Sequence, residues 1–136
     1  MVSIYGVKLL DEMRFYELKG LLHACLPREV CDSASKFKFP AGKQRKVLGE
    51  LLLRSIVQRD HHIKSENLRI AYTEKNKPYL VSHPQIHFNI SHSGDWVVIA
   101  FSDNPVGVDV EKIRKVNLGV AKRFFSEYEN RTLFGL

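Results

Sequence analysis

The chain has few of the residues that mark membrane-spanning, disulfide-stabilised or metal-chelating proteins. Its two cysteines, Cys25 and Cys31, form neither a disulfide framework nor a cysteine metal motif. Its longest apolar runs, 51–53 and 97–101, fall far short of the roughly 20 residues that a membrane-spanning helix needs. No secretory signal pattern opens the sequence. We therefore expect a protein of the reducing cytoplasm that does not cross a membrane.

The composition is that of an ordinary folded domain. Of the 136 residues, 26% are charged and 44% are apolar, which excludes a disordered or coiled-coil chain. Apolar residues recur at helical spacing around 15–25, 43–58 and 116–125. Period-two patterns predict strands at 2–9, 68–72, 79–81, 87–91, 96–101 and 106–111. The predicted fold class is α+β, with helices before and after a largely antiparallel sheet.

Acidic residues are absent from one stretch of the chain. Lys and Arg number 21 against 15 Asp and Glu, a formal charge of +6, and residues 33–49 hold five basic residues and no acidic one: Lys36, Lys38, Lys43, Arg45 and Lys46. Cations at the start of a helix interact unfavourably with the helix dipole, and a bound anion would offset that unfavourable interaction. The segment is therefore either a solvated helix face or an anion site. A nucleic-acid partner is not expected, because that interpretation rests on charge alone.

The segment 106–111 places two carboxylates on one face of a predicted strand. Because side chains alternate, Asp109 and Glu111 share the face of Gly107, with Cα atoms roughly 6.5–7 Å apart. Two such carboxylates can share Mg²⁺, which takes one or two carboxylates together with water and substrate phosphates. The alternative is a solvated acidic edge strand.

Two further segments combine polar groups with turn chemistry. In 88–94, Asn89 and Ser91 face outward from a predicted strand, and His92 precedes Ser-Gly. An imidazole beside exposed backbone amides can bind an anion, although it can also simply cap a hairpin. Ser126 and Glu129 have the spacing of a helix capping box, and the alternative for Glu129 is an acid close to a metal.

Taken together, these segments resemble a known family. "KPYL…FNISHSGDWVVIAFS…VGVDVEKI…AKRFFSEYE", over 77–129, resembles the 4′-phosphopantetheinyl transferases of the surfactin-synthetase-activating type. A weaker resemblance covers "KFKFPAGKQRKVLGELLLRS" in 36–54. The resemblance implies Mg²⁺-dependent transfer of the phosphopantetheine arm from coenzyme A to a serine of an apo acyl or peptidyl carrier protein, as in fatty acid, polyketide or nonribosomal peptide synthesis.

The resemblance also implies roles for seven residues. Asp109 and Glu111 match the metal ligands of the catalytic site, and Glu129 matches a catalytic acid near the metal. The positions that contact coenzyme A, with the first and last directed at its 3′-phosphate, are Arg45, Lys77, Ser91 and His92.

The sequence departs from the family pattern in three places. Gly42 stands where an aspartate is common, and 27–32 offers only Arg28 in place of lysine-rich phosphate contacts. The chain also stops before the family's W-x-x-K-E helix. The resemblance thus implies one N-terminal unit over 1–136, with a first pseudo-repeat at about 1–105 and the truncated start of a second at 106–136.

Two hypotheses stay open at this point. The chain is a transferase that retains part of its catalytic site, or it is a catalytically inactive fragment that binds coenzyme A or a carrier protein. In the second case we expect self-association, as a homodimer through the exposed half-interface, because large apolar surfaces usually find a partner.

Overall fold

The computed structural model describes residues 1–111, and the structural statements below concern that part of the chain. The predicted helical spacing in 116–125 and the segment that contains Ser126 and Glu129 lie outside the described residues. Helices and strands follow one another in the order β1 (Ser3–Lys8), α1 (Glu12–Ala24), α2 (Arg28–Ser35), α3 (Pro40–His61), β2 (Ile70–Tyr72), β3 (Pro78–Leu80), β4 (His87–Ser93) and β5 (Trp96–Ser102).

The strands form two antiparallel groups. A three-stranded sheet has the order β1-β5-β4, and β2 pairs with β3 in a separate hairpin. Residues Gly94 and Asp95 connect β4 to β5, and Gly94 has a φ of 55°, the left-handed conformation that two-residue hairpin turns favour. The α+β class and the antiparallel pairing predicted from the sequence are confirmed.

Local sequence signals fix the ends of the helices. The Asp11 side chain accepts a hydrogen bond of 2.8 Å from the Arg14 amide and so caps α1. Pro40 occupies the first turn of α3, where its missing amide proton costs nothing, and His62 ends α3 with a φ of 57°. The helix therefore extends about one turn beyond each end of the predicted 43–58. The eight-residue helix α2, which follows Pro27, was not predicted separately.

Helix α3 packs across one face of the three-stranded sheet. Its fully buried Leu53 and Val57 belong to the same apolar cluster as Ile99 of β5 and Leu80 of β3. A second cluster joins α3 to the residues around α2: Leu26, Val30, Ala34 and Val47. We call the sheet face that packs on α3 the inner face and the opposite one the outer face. The C-terminal half of α3 thus packs against the sheet, and its N-terminal half packs against α2.

The segment 106–111 is not a β-strand, which corrects the prediction from its alternating sequence. Its residues alternate between partly buried valines and exposed Gly107, Asp109 and Glu111, as the sequence indicated. However, its backbone bonds to side chains of β4 in place of a neighbouring strand: the Val108 amide donates to Asn89 Oδ1 at 2.9 Å. Burial alternates along 106–111 because one side of the segment lies against β4, and the segment does not pair with β4 as a strand.

Within residues 1–111, no helix combines the length and the apolar character required to cross a membrane.

Candidate functional site

An open cleft of about 700 Å³ lies between the N-terminal half of α3, the β4–β5 hairpin and the β2–β3 hairpin. Its walls include the apolar Ile70, Pro78 and Ile90. The charged side chains that line it, among the described residues, are Lys38, Arg45, Lys46 and Glu50, and His92 and Tyr72 are its other titratable side chains. Cations thus outnumber the single carboxylate, so the cleft favours an anionic ligand.

Arg45 spans the cleft from α3 to the turn of the β4–β5 hairpin. Its Nη2 atom donates a hydrogen bond of 3.1 Å to the Gly94 carbonyl oxygen. Its Nε atom is buried and has no hydrogen-bond partner within residues 1–111. Since an unpaired buried donor is unfavourable, and a guanidinium has five N–H groups, Arg45 retains donor capacity for an anion in the cleft.

His92 faces this cleft, whereas the neighbouring Ser91 faces away from it. In the antiparallel register His92 lies opposite Val97, and both side chains line the cleft on the inner face. Ser91 lies opposite Val98 and projects from the outer face, because side chains alternate along a strand. The structure therefore brings Arg45 and His92 together and separates Ser91 from them by the thickness of β4.

Ser91 belongs to a polar strip on the outer face, where the segment 106–111 runs along β4. Its hydroxyl accepts a hydrogen bond of 3.1 Å from the Val110 amide and lies 3.4 Å from Asp109 Oδ1, to which it donates. Asn89, two residues earlier in β4, holds the Val108 amide in the same way. Two side chains of β4 thus fix the backbone on either side of Asp109.

Asp109 and Glu111 are the predicted metal ligands, and both are exposed. Within residues 1–111, no group of three or more histidine, cysteine or acidic side chains is arranged to hold a metal ion. Two carboxylates nevertheless match the usual protein contribution to a Mg²⁺ site, in which water and substrate phosphates supply the other ligands. The pair therefore fits a magnesium ion that is bound together with a phosphate ligand.

Lys77 lies in the β2–β3 turn, next to Pro78, and its side chain is exposed. The turn is closed by hydrogen bonds of 2.9 Å from the Thr73 amide to the Lys77 carbonyl and of 2.8 Å from the Asn76 amide to the Thr73 carbonyl. Asn76 has a φ of 63°, which asparagine tolerates better than most residues. Lys77 is thus held at the rim of the cleft, outside the residues that line it.

A charged network on α3 was not predicted. Glu50 accepts hydrogen bonds from Lys46 Nζ at 3.3 Å and from Arg54 Nε at 3.1 Å, and both pairs have i,i+4 spacing. That spacing is the signal that could have revealed the network in the sequence. Arg54 also donates to the Ser65 carbonyl at 2.9 Å, and Lys46 donates to the Tyr72 hydroxyl at 3.0 Å.

The environment of Lys46 keeps its ammonium group charged. Burial by itself lowers the pKa of Lys46, but the hydrogen bond to Tyr72 and the carboxylate of Glu50 outweigh it, and the pKa is raised. A group that is positive at neutral pH therefore lies on the wall of the cleft, one residue after Arg45.

Comparison with known proteins identifies the family of this chain. Residues 17–104 match the family model described as 4′-phosphopantetheinyl transferase, N-terminal. The chain belongs to the 4′-phosphopantetheinyl transferase family. The matched region contains Arg45, Lys77, Ser91 and His92, whereas Asp109 and Glu111 follow it.

Individual relatives agree with the family model. The chain is 35% identical over 128 residues to the 4′-phosphopantetheinyl transferase ffp of Bacillus subtilis, a match that covers 94% of this chain and 57% of the relative. It is 34% identical, with the same coverage, to the 4′-phosphopantetheinyl transferase Sfp of Bacillus subtilis strain 168. With psf-1 of Bacillus pumilus the identity is 41% over 101 residues, or 74% of this chain and 43% of the relative. The chain therefore spans about half the length of these relatives.

Proposed function

We propose that the chain binds coenzyme A in the cleft between α3 and the β4–β5 hairpin and takes part in the transfer of 4′-phosphopantetheine to a carrier protein. The observation that carries the proposal is the convergence of Arg45 and His92 on one cationic cleft in a chain of this family. A guanidinium and an imidazole are suited to a phosphate, because charge-assisted hydrogen bonds are stronger than neutral ones. In this proposal Arg45 and His92 contact the 3′-phosphate of coenzyme A. Lys77 and Ser91 contact other parts of the coenzyme.

The transfer is a phosphoryl substitution. The serine hydroxyl of the apo acyl or peptidyl carrier protein forms a bond to the phosphorus that bears pantetheine. The bond from this phosphorus to the bridging oxygen of the pyrophosphate breaks, the serine proton is released, and adenosine 3′,5′-bisphosphate leaves. Such reactions depend mainly on positioning and on neutralisation of charge. The residues of the cleft contribute to positioning, because they fix the nucleotide end of the coenzyme.

The same proposal assigns Mg²⁺ to Asp109 and Glu111. A bound magnesium ion would neutralise negative charge on the pyrophosphate. The backbone amides of Val108 and Val110 are held by Asn89 and Ser91, so the carboxylate between them has a defined position relative to β4. Glu129, outside the described residues, remains the proposed catalytic acid near the metal.

A mass-shift assay tests this function. The chain is incubated with Mg²⁺, coenzyme A and an apo carrier protein, and the carrier is weighed by mass spectrometry. Addition of the phosphopantetheine arm is expected, and Arg45→Gln and His92→Gln should lower its rate. If the folded chain neither transfers the arm nor binds coenzyme A, the proposal is refuted.

The second candidate is a catalytically inactive fragment that binds coenzyme A or a carrier protein and self-associates. It is favoured by exposed apolar side chains on the outer face, where Ile4 is 64% and Trp96 46% exposed. Binding of coenzyme A without transfer would support it. A monomer by light scattering would argue against the homodimer.

A further inference from the structure

We infer that a groove between α1 and α3 is a second binding surface, which docks an acidic amphipathic helix of a partner protein. The groove has a volume of about 190 Å³. It is separate from the cleft, because no residue of α3 lines both. Its volume lies below the roughly 300–1,000 Å³ of small-molecule pockets, so it is suited to side chains of a docked segment.

Helix α1 forms one wall of the groove. Five of its residues line the groove at intervals that place them on one side of the helix: Glu12, Phe15, Tyr16, Lys19 and His23. No residue of α1 is fully buried, and Tyr16 is 78% exposed. Tyrosine is one of the residues that contribute most to binding energy at protein interfaces. This wall is therefore open to a partner.

The other wall comes from α3 and from the end of α2. Pro40, Lys43 and Val47 of α3 line the groove, and Ala34 and Ser35 of α2 close it. Ala34 and Val47 are almost fully buried, so the floor of the groove is apolar. An apolar groove between two helices can accept the apolar stripe of a third helix, whose side chains at i, i+3 and i+7 fill it.

The rim of the groove carries a net positive charge. Lys19 and Lys43 line it from opposite walls, and within residues 1–111 neither forms an ion pair. Among the described residues that line the groove, Glu12 is the single carboxylate. Lys43 also belongs to the stretch 33–49, which has no acidic residue, although it does not line the cleft. Acidic side chains beside an apolar stripe would be complementary to this rim.

These features favour an acidic helix over other occupants. A basic helix would be repelled by the two lysines, and a small anion would gain nothing from the apolar floor. A membrane surface would leave the concave floor uncovered. The 13 residues of α1 span about 20 Å, so the groove can accommodate a docked helix of about 14 residues.

The experiment measures binding of two stapled, fluorescent helical peptides of this length to the full 136-residue chain by fluorescence anisotropy. Both have leucines at i, i+3, i+4 and i+7, and the other positions are glutamate in one peptide and lysine in the other. The wild-type chain should bind the glutamate peptide about tenfold more tightly. Lys19→Glu with Lys43→Glu should reverse this preference. Unfolding cannot cause a reversal, because it weakens binding of both peptides.

Two further variants serve as controls. Lys64→Glu with Lys75→Glu changes the net charge by the same amount at exposed positions outside the groove, and it should retain the preference. Tyr16→Ala should weaken binding of the glutamate peptide about tenfold. It should leave the free energy of unfolding nearly unchanged, because this side chain is exposed. Excess coenzyme A should not displace the peptide, because the cleft and the groove are separate.

Four outcomes overturn the inference. The first is equal or undetectable binding of the two peptides to the wild-type chain. The second is an equal loss of preference in the control pair, which would show a response to net charge alone. The third is displacement of the glutamate peptide by coenzyme A, which would place the peptide in the cleft. The fourth is binding to phosphatidylserine vesicles without binding to the glutamate peptide. None of these measurements requires transfer of phosphopantetheine, so the proposed function is tested separately.

Discussion

The hydroxyl of Ser91 lies 3.4 Å from the carboxylate oxygen Oδ1 of Asp109, although the two residues are 18 positions apart in the chain. The contact places one proposed metal ligand directly on the outer face of β4, behind the strand that presents His92 to the cleft. The proposed nucleotide and metal contacts thus meet at β4 from opposite faces. A ligand that reaches both groups must pass around the end of this strand or around the edge that does not pair with β5.

The hydrogen bonds from the Val108 and Val110 amides to side chains of β4 predict a local effect of Asn89→Ala. The substitution leaves the partly buried Val108 amide without the acceptor that now lies at 2.9 Å, and an unsatisfied buried donor costs about 1–3 kcal/mol. We expect a lower free energy of unfolding in urea and faster hydrogen exchange of the Val108 amide. Ser102→Ala, which removes an exposed acceptor of the Asn104 amide, is the matched control and should cost less. Unchanged exchange at Val108 would contradict the tether.

The carboxylates of 106–111 predict where a divalent ion binds. Mn²⁺, a paramagnetic substitute for Mg²⁺, should broaden the amide resonances of 107–111, and more strongly once coenzyme A supplies phosphate oxygens. Asp109→Asn with Glu111→Gln should remove this broadening, and Asp109→Ala should abolish Mg²⁺-dependent transfer. Asp103→Asn, which neutralises another exposed carboxylate, is the control. Equal broadening in the double variant would refute the metal assignment.

Gly42 and Phe37 predict a thermodynamic coupling at the entrance of the cleft. A Cβ atom on Gly42 would lie 2.8 Å from Cδ1 of Phe37, closer than real contacts allow, so an alanine must displace the ring. Elsewhere in a helix, replacing glycine by alanine stabilises by about 1 kcal/mol. Gly42→Ala should therefore gain less than this in the wild-type chain and the full amount in the Phe37→Ala background. Equal gains in both backgrounds, measured by urea unfolding, would show that the ring moves freely.

This contact also gives a physical reason for one departure from the family pattern. Phe37 is packed over Gly42, and both residues line the cleft. An aspartate at position 42, the residue common in the family by the resemblance, would meet the ring in its present position. With glycine at position 42, the ring of Phe37 occupies this part of the cleft wall in place of a carboxylate.

The sequence was sufficient for the parts of the fold that depend on local periodicity. Period-two patterns predicted the strands of the sheet, and the apolar stripe through Leu48 and Leu52 predicted α3. Helix α2 was missed because its eight residues follow Pro27 directly and carry only two buried apolar side chains, Val30 and Ala34. A pattern of that length is too short to establish a helical period.

The sequence pointed to two residues that line the cleft, and it did not reveal how they are arranged. Motif matching selected Arg45 and His92, but their common cleft depends on the packing of α3 against β4 and β5. The segment 106–111 shows the converse: its alternation indicated a strand, whereas Asn89 and Ser91 replace a strand partner with side-chain hydrogen bonds. Alternating apolar and polar residues show which side of a segment is buried, but they do not show which groups bury it.

The final prediction concerns acid stability at the far end of α3, where the exposed Arg59 and Asp60 form a cluster with the partly buried Tyr5. Arg59 Nε donates to Asp60 Oδ1 at 2.7 Å, and this hydrogen bond lowers the pKa of the Asp60 carboxyl. A carboxyl with a lowered pKa in the folded state stabilises the fold above its unfolded pKa. This contribution is lost as the pH falls through the folded pKa.

The stability difference between the wild-type chain and Asp60→Asn should therefore be present at neutral pH and be lost as the pH falls through the lowered pKa of Asp60 in the folded chain. The difference is small, because exposed ion pairs are screened by solvent and salt. Urea unfolding across this range measures it, and an NMR titration of the Asp60 carboxyl gives the pKa directly. Arg59→Gln should return that pKa toward the usual aspartate range, and a titration midpoint that stays depressed in this variant would show that Arg59 is not the cause.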